Sequence, residues 1–121
     1  MHPHDQITLG KLRAALSKAE PNATVKLGGA NEGFPSEPMS YRGYYEDISF
    51  EPGPTEVDAA SFLAHVNDII GRSFVGYKGG HYVMDESTPV WVAHFGSSGN
   101  AVVDISITRE DVTLVTRAIA D

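Results

Sequence analysis

The chain contains no cysteine in its 121 residues, which excludes disulfides, thiolate nucleophiles and cysteine-held metal. No apolar run approaches the roughly 20 residues of a membrane-spanning helix. The first residues, Met1-His-Pro-His-Asp5, lack the apolar stretch of a secretory signal, so a soluble cytoplasmic protein is expected. Basic residues are also scarce: 9 Lys and Arg stand against 16 Asp and Glu, a formal net charge of −7. Nucleic-acid surfaces need a basic stripe to displace counterions, and none is present. Between Arg42 and Arg72 there is no Lys or Arg at all, while Glu46, Asp47, Glu51, Glu56, Asp58 and Asp68 fall there.

Several catalytic and cofactor signatures are missing as well. There is no Gly-x-Ser-x-Gly elbow, no His-Glu-x-x-His pair and no phosphate-binding P-loop spacing. His65, His81 and His94 are scattered along the chain, so neither a metal nor any other cofactor is expected. No activated nucleophile or matched acid–base pair assembles from sequence neighbours, and the chain reads as a non-enzyme.

The length fits one domain spanning residues 1–121. Thr8 reads as the cap of a first helix with Leu9, Leu12, Leu16 and Ala19 on one stripe, ended by Pro21-Asn22. Residues 23–27 alternate as a short strand. From Ala30 to Met39 the prolines and glycine predict a loop. Tyr44 to Phe50 predicts a strand with Tyr44, Ile48 and Phe50 inward, stopped by Glu51-Pro-Gly-Pro54. Thr55 is the expected cap of a second helix, whose apolar face includes Phe62, Val66 and Ile69 and whose exit is Gly71. Strands are expected at 73–77 and 81–84 around Lys78-Gly-Gly80. Two more, at 90–95 and 101–108, flank the hairpin connector Gly96–Asn100. The pattern from Val112 to Ile119 does not separate strand from helix. The expected fold class is α+β, an antiparallel sheet with two helices packed on one face.

Two intervals are too polar for core and too aromatic for plain loop. Ser40-Tyr-Arg-Gly-Tyr-Tyr-Glu-Asp47 offers Tyr41 and Tyr44 as stacking rings, Arg42 as a forked phosphate donor, and Gly43 where a ligand could approach the backbone. Phe74-Val-Gly-Tyr-Lys-Gly-Gly-His-Tyr82 adds Phe74, Tyr77, Lys78, Gly79 and His81. Trp91 is a further ring, and Arg109 a further cation. Phe74 and Trp91 also suit core positions. Glu46 and Asp47 can cap, pair with Arg42 or accept from ribose hydroxyls. Together these residues describe a receptor for a small, ring-bearing, anionic molecule.

The same motifs, with Gly71-Arg-Ser-Phe-Val-Gly-Tyr-Lys-Gly-Gly80 and Val90-Trp-Val-Ala93 followed by Gly96 and Gly99, resemble the Thoeris anti-defence sponges, small phage-encoded proteins. The likeness runs from the first helix to about Asp104. It implies a non-enzymatic homo-oligomer, a dimer or hexamer, in the host cytoplasm. Such proteins sequester glycocyclic ADP-ribose signals, and some members hold cyclic oligonucleotides at a separate site. It further implies that Phe74 or Tyr77 faces adenine and that Arg42 and Arg109 face the diphosphate. Arg109 lies beyond the stretch that carries the likeness.

Sequestration sets an energetic requirement. A base–aromatic stack contributes about 1–3 kcal/mol and a charge-assisted hydrogen bond roughly 1.5–3 kcal/mol. Nanomolar affinity needs about 12 kcal/mol after ordering costs, so the site must be preformed and nearly closed. Two other classes stay open at the level of sequence. One is a protein–protein inhibitor or phage accessory protein with an acidic surface, and the other is a nucleotide-processing enzyme.

Overall fold

A computed structural model describes residues 5–28, 33–41, 44–76, 79–94 and 97–118. The described elements are α1 (Leu9–Lys18), β1 (Thr24–Leu27), β2 (Phe34–Tyr41), β3 (Tyr44–Gly53), α2 (Ala59–Ile69), β4 (Ser73–Val75), β5 (His81–Val83), β6 (Val90–His94), β7 (Ser97–Ile107) and β8 (Asp111–Ala118). The fold is α+β, with a mostly antiparallel six-stranded sheet in the order β1-β8-β7-β6-β3-β2 and a separate two-stranded sheet of β4 and β5.

The sheet is mixed rather than purely antiparallel: β1 runs parallel to β8, and β3 parallel to β6. Two strands joined by a tight turn must be antiparallel, whereas a long connection returns a strand in the same direction. Between β3 and β6 lie α2 and the β4–β5 hairpin, and this connection makes the parallel pair. β3, β6, β8 and β1 all begin at the same end of the sheet, so that end gathers the close of β2, the start of β3 and the β7–β8 turn.

The helices form where their apolar spacing predicts. Thr8 caps α1 by accepting from the Lys11 amide, and Leu9, Leu12 and Leu16 are buried at i, i+3 and i+7. In α2 the buried face is Ala59, Phe62, Val66 and Ile69. These side chains share one core cluster with Val25, Ile48, Phe50, Val92 and Leu114 of the sheet. Phe50 meets Phe62 edge to face, with ring centroids 5.1 Å apart. Gly71 follows α2 with φ +89°, the left-handed turn that only glycine enters freely.

Four local expectations are corrected. The cap of α2 is Asp58 rather than Thr55: its carboxylate accepts from the Ser61 amide at 2.8 Å, and Ala59 and Ala60 bond to the carbonyls of Ala23 and Pro21. Residues 34–39 belong to β2 instead of a loop. Proline cannot donate to a ladder, but β2 is the outermost strand, and the register slips between Pro35 and Pro38. Strand β3 continues through Glu51 and Pro52 to Gly53, paired with Phe34 and Pro35. Residues 97–100 are the start of β7 and not a connector, because Asn100 and Ser97 pair with Val92 and His94. The open segment at 112–118 is strand β8, held between β7 and β1.

Gly99 permits the β6–β7 approach. A Cβ there would lie 2.3 Å from the Val92 carbonyl oxygen and 2.6 Å from the Ala93 Cβ. Gly99→Ala is therefore expected to destabilise the fold by about 1–3 kcal/mol, the usual cost of overpacking. Urea unfolding checks this through a lower midpoint at unchanged slope.

Candidate functional site

At the end of the sheet where β3 and β6 begin, a cavity of about 410 Å³ opens between the main sheet and the β4–β5 hairpin. It is lined by Glu46 and Asp47 from β3, His81, Tyr82 and Val83 from β5, and Asp85, Ser87, Thr88 and Pro89 from the approach to β6. The two intervals that stand out in the sequence thus meet at one place.

Each wall has a local cause. The hairpin wall follows from Gly79 and Gly80, both left-handed at φ +86° and +81°, which reverse the chain while the Gly76 amide donates to the Gly80 carbonyl at 3.0 Å. The register then places Phe74 opposite Tyr82 and Val75 opposite His81. Phe74 and Tyr82 pack toward the core, whereas Val75, His81 and Val83 are exposed.

The Asp85–Thr88 wall is a side-chain-closed turn. The Asp85 carboxylate accepts from the Ser87 amide at 2.8 Å and the Ser87 hydroxyl at 2.6 Å, and the Thr88 hydroxyl accepts from the Asp85 amide. These bonds, led by that of the Ser87 hydroxyl, hold the Asp85 carboxyl below its ordinary range. A carboxylate made less basic in this way is a weak base for activating Ser87.

Asp47 forms the inner wall. It is 3 % exposed, and its Oδ2 accepts from Trp91 Nε1 at 2.8 Å. Trp91 is itself 2 % exposed and stacks on Tyr41, with ring centroids 4.2 Å apart and planes 4° from parallel. The Tyr41 hydroxyl accepts from the Gly99 amide at 3.2 Å.

The candidate residues named from sequence are thus distributed over several places. His81 lines the cavity directly. Gly79 shapes its hairpin, and Tyr44 opens β3. Tyr41 and Trp91 stand behind the cavity with faces turned on each other. Phe74 is 8 % exposed, and the Arg72 guanidinium sits 4.7 Å from its ring centroid. Arg109 lines a separate cavity with Glu20, Asn22 and Glu110. Arg117 of β8, a cation outside that candidate set, is engaged by Asp5 through two hydrogen bonds. Arg42, Gly43, Tyr77 and Lys78 lie outside the described residues.

Among the described lining residues there are carboxylates at Glu46, Asp47 and Asp85 and no Lys or Arg. Such a wall accepts hydrogen bonds from hydroxyl or amine groups and repels phosphate. Among the described residues no group of three or more His, Asp or Glu side chains converges in a way that could hold a metal ion, and no helix is long and apolar enough to cross a membrane. Val83, Asp85, Ser87, Thr88 and Pro89 were not singled out by the sequence. The spacing Asp85-x-Ser87 is a side-chain-turn signal, but nothing local says that the turn faces Glu46.

The two carboxylates with the clearest local bonds also set a pH response. Asp58, through Ser61, and Asp85, through Ser87, are held below the ordinary carboxylate range in the folded chain. The stability that they contribute is fully present above the unfolded value, about 4, and is lost as pH falls through their lowered folded values. Thermal melting is expected to show this loss below about pH 4, with a smaller loss in Asp58→Asn.

Compared with protein families, with curated proteins and with solved structures, the chain matches none.

Proposed function

We propose that the chain is a phage-encoded, non-catalytic sponge that binds glycocyclic ADP-ribose and withholds it from Thoeris antiviral defence. The observation that carries this reading is the convergence of the Ser40–Asp47 and Phe74–Tyr82 intervals on one cavity. The sequence motifs that resemble the sponge family are those same intervals. The carboxylates of the wall suit the ribose hydroxyls of such a ligand, as acceptors facing donors. Its phosphates are assigned to Arg42 and Lys78, which flank the lining residues in sequence.

Both helices are read as covering the sheet face that carries Ile48, Phe50 and Val92. The protein is further read as a homo-oligomer, a dimer or hexamer. Arg109, which lines a different cavity of the same chain, then contributes from a site shared between copies. Cyclic oligonucleotides are assigned to a separate position.

Calorimetric titration with glycocyclic ADP-ribose tests the reading. Saturable binding with a dissociation constant of about 10 nM or below is expected from a preformed site. Absence of binding at micromolar protein contradicts it. The net charge of −7 and the carboxylate-lined wall favour one second reading, an inhibitor that captures a basic protein. Capture of one defined host protein, with no nucleotide retained, would select it.

A further inference from the structure

Tyr41 and Trp91 look from sequence like stacking surfaces for a ligand ring, yet each ring is occupied by the other. The hydrogen bonds at the two ends of the stack show a different use. At one end Trp91 Nε1 donates to Asp47 Oδ2 at 2.8 Å, and at the other the Tyr41 hydroxyl accepts from the Gly99 amide at 3.2 Å. Asp47 is 3 % exposed and still lines the cavity. A buried carboxylate is held where its hydrogen-bond donors are, because leaving it unpaired is costly. The chain of contacts runs across four neighbouring strands, β2 through Tyr41, β3 through Asp47, β6 through Trp91 and β7 through Gly99.

We infer that the Asp47–Trp91–Tyr41 chain is a positioning device that fixes the inner wall of the cavity and the two ends of the Tyr41–Tyr44 connection before ligand arrives. The inference rests on the cavity being the ligand site proposed above. Asp47 is the neighbour of Glu46, and Tyr41 is the neighbour of Arg42, so one rigid stack sets the departure points of an acceptor and a phosphate donor. A site ordered in advance loses less freedom on binding, and the gain is read chiefly in slow dissociation. Trp91, the one tryptophan of the chain, also serves as a built-in reporter. It lies behind Asp47 and responds to cavity occupancy through that carboxylate.

The test measures dissociation of glycocyclic ADP-ribose from folded wild type, Trp91→Phe and Leu16→Val. Trp91→Phe leaves a six-membered ring to face Tyr41 and removes the N–H donor together with the five-membered ring of the indole. About tenfold faster dissociation is expected, the effect of losing one hydrogen bond to a charged group. Leu16→Val, on α1 and away from the cavity, trims the core modestly and leaves the Asp47–Trp91 bond in place, so the rate is expected to stay within about threefold of wild type. Ligand is expected to shift the Trp91 emission in wild type. Wild-type dissociation from folded Trp91→Phe overturns the inference alone. An equal loss in Leu16→Val also overturns it, since general loosening of the core, and not the positioning of Asp47, would then set the rate. Absence of ligand binding by wild type sinks the function itself and the inference with it. If Trp91→Phe does not fold, Tyr41→Phe decides: it deletes the hydroxyl and with it the bond to Gly99, and severalfold faster dissociation supports positioning while an unchanged rate contradicts it.

Discussion

Phe62→Ala is expected to lower the unfolding free energy by about 3–5 kcal/mol. Phe62 is 1 % exposed, and its ring meets that of Phe50, itself 0 % exposed, at an interplanar angle of 66°. The contact joins the middle of α2 to β3, the strand that also supplies Glu46 and Asp47. Truncation removes the transfer energy of the ring, empties its volume and forfeits the edge-to-face contact, and rigid neighbours cannot close the gap. Small domains have only about 5–15 kcal/mol of stability in all. The loss is therefore expected to lower the melting temperature by more than about 10 °C. Thermal melting followed by circular dichroism reads it directly. A loss below about 1 kcal/mol, the range of a surface substitution, would show that α2 does not seal the core against β3.

Arg42→Ala has the largest expected effect on binding. Arg42 follows the last residue of β2 and is the only Lys or Arg between Lys26 and Arg72. The described cavity wall is acidic, so a phosphate-bearing ligand needs a compensating cation. A guanidinium makes forked, charge-assisted bonds to phosphate that an ammonium cannot reproduce. Their loss is expected to weaken affinity for glycocyclic ADP-ribose by roughly tenfold to a hundredfold. Arg42→Lys is expected to recover part of it. Thermal stability is expected to stay within about 0.5 kcal/mol of wild type, because a cation kept for the ligand adds little to the free fold. Unchanged affinity in Arg42→Ala would remove Arg42 from the site, and an unfolded variant would give it a structural role in place of a binding one.

What could be read from sequence followed from local periodicity. Leu9, Leu12 and Leu16, and Phe62, Val66 and Ile69, declared helices because their spacing matches one helix face. Ile48 and Phe50 declared the inward side of β3 by alternation. The strand at Phe34–Tyr41 was hidden because Pro35 and Pro38 exclude a central strand, and nothing local marks a strand as outermost. The parallel pairings were hidden for a related reason. They join Thr24 to Asp111 and Ile48 to Val90, across separations that only the closed sheet defines.

The site divides the same way. Its two intervals were visible as clusters of aromatic, glycine and charged residues within short stretches. The pairing of Asp47 with Trp91, 44 residues apart, was not. Nor was the turn of Asp85, Ser87 and Thr88, whose local bonds are recognisable but whose place against Glu46 is set by the β3–β6 register. Tyr41 and Trp91 were read as stacking rings for a ligand, and within the chain they stack on each other.

Sequestration without chemistry is the central claim, and heat release tests it most directly. Purified protein is saturated with glycocyclic ADP-ribose, freed of excess ligand, heated to unfold the chain, and the released small molecules are identified by mass spectrometry. Recovery of the intact parent molecule, stoichiometric with binding sites, is the predicted result. Recovery of linear ADP-ribose or another cleaved product, accumulating beyond one equivalent per chain, would contradict the account.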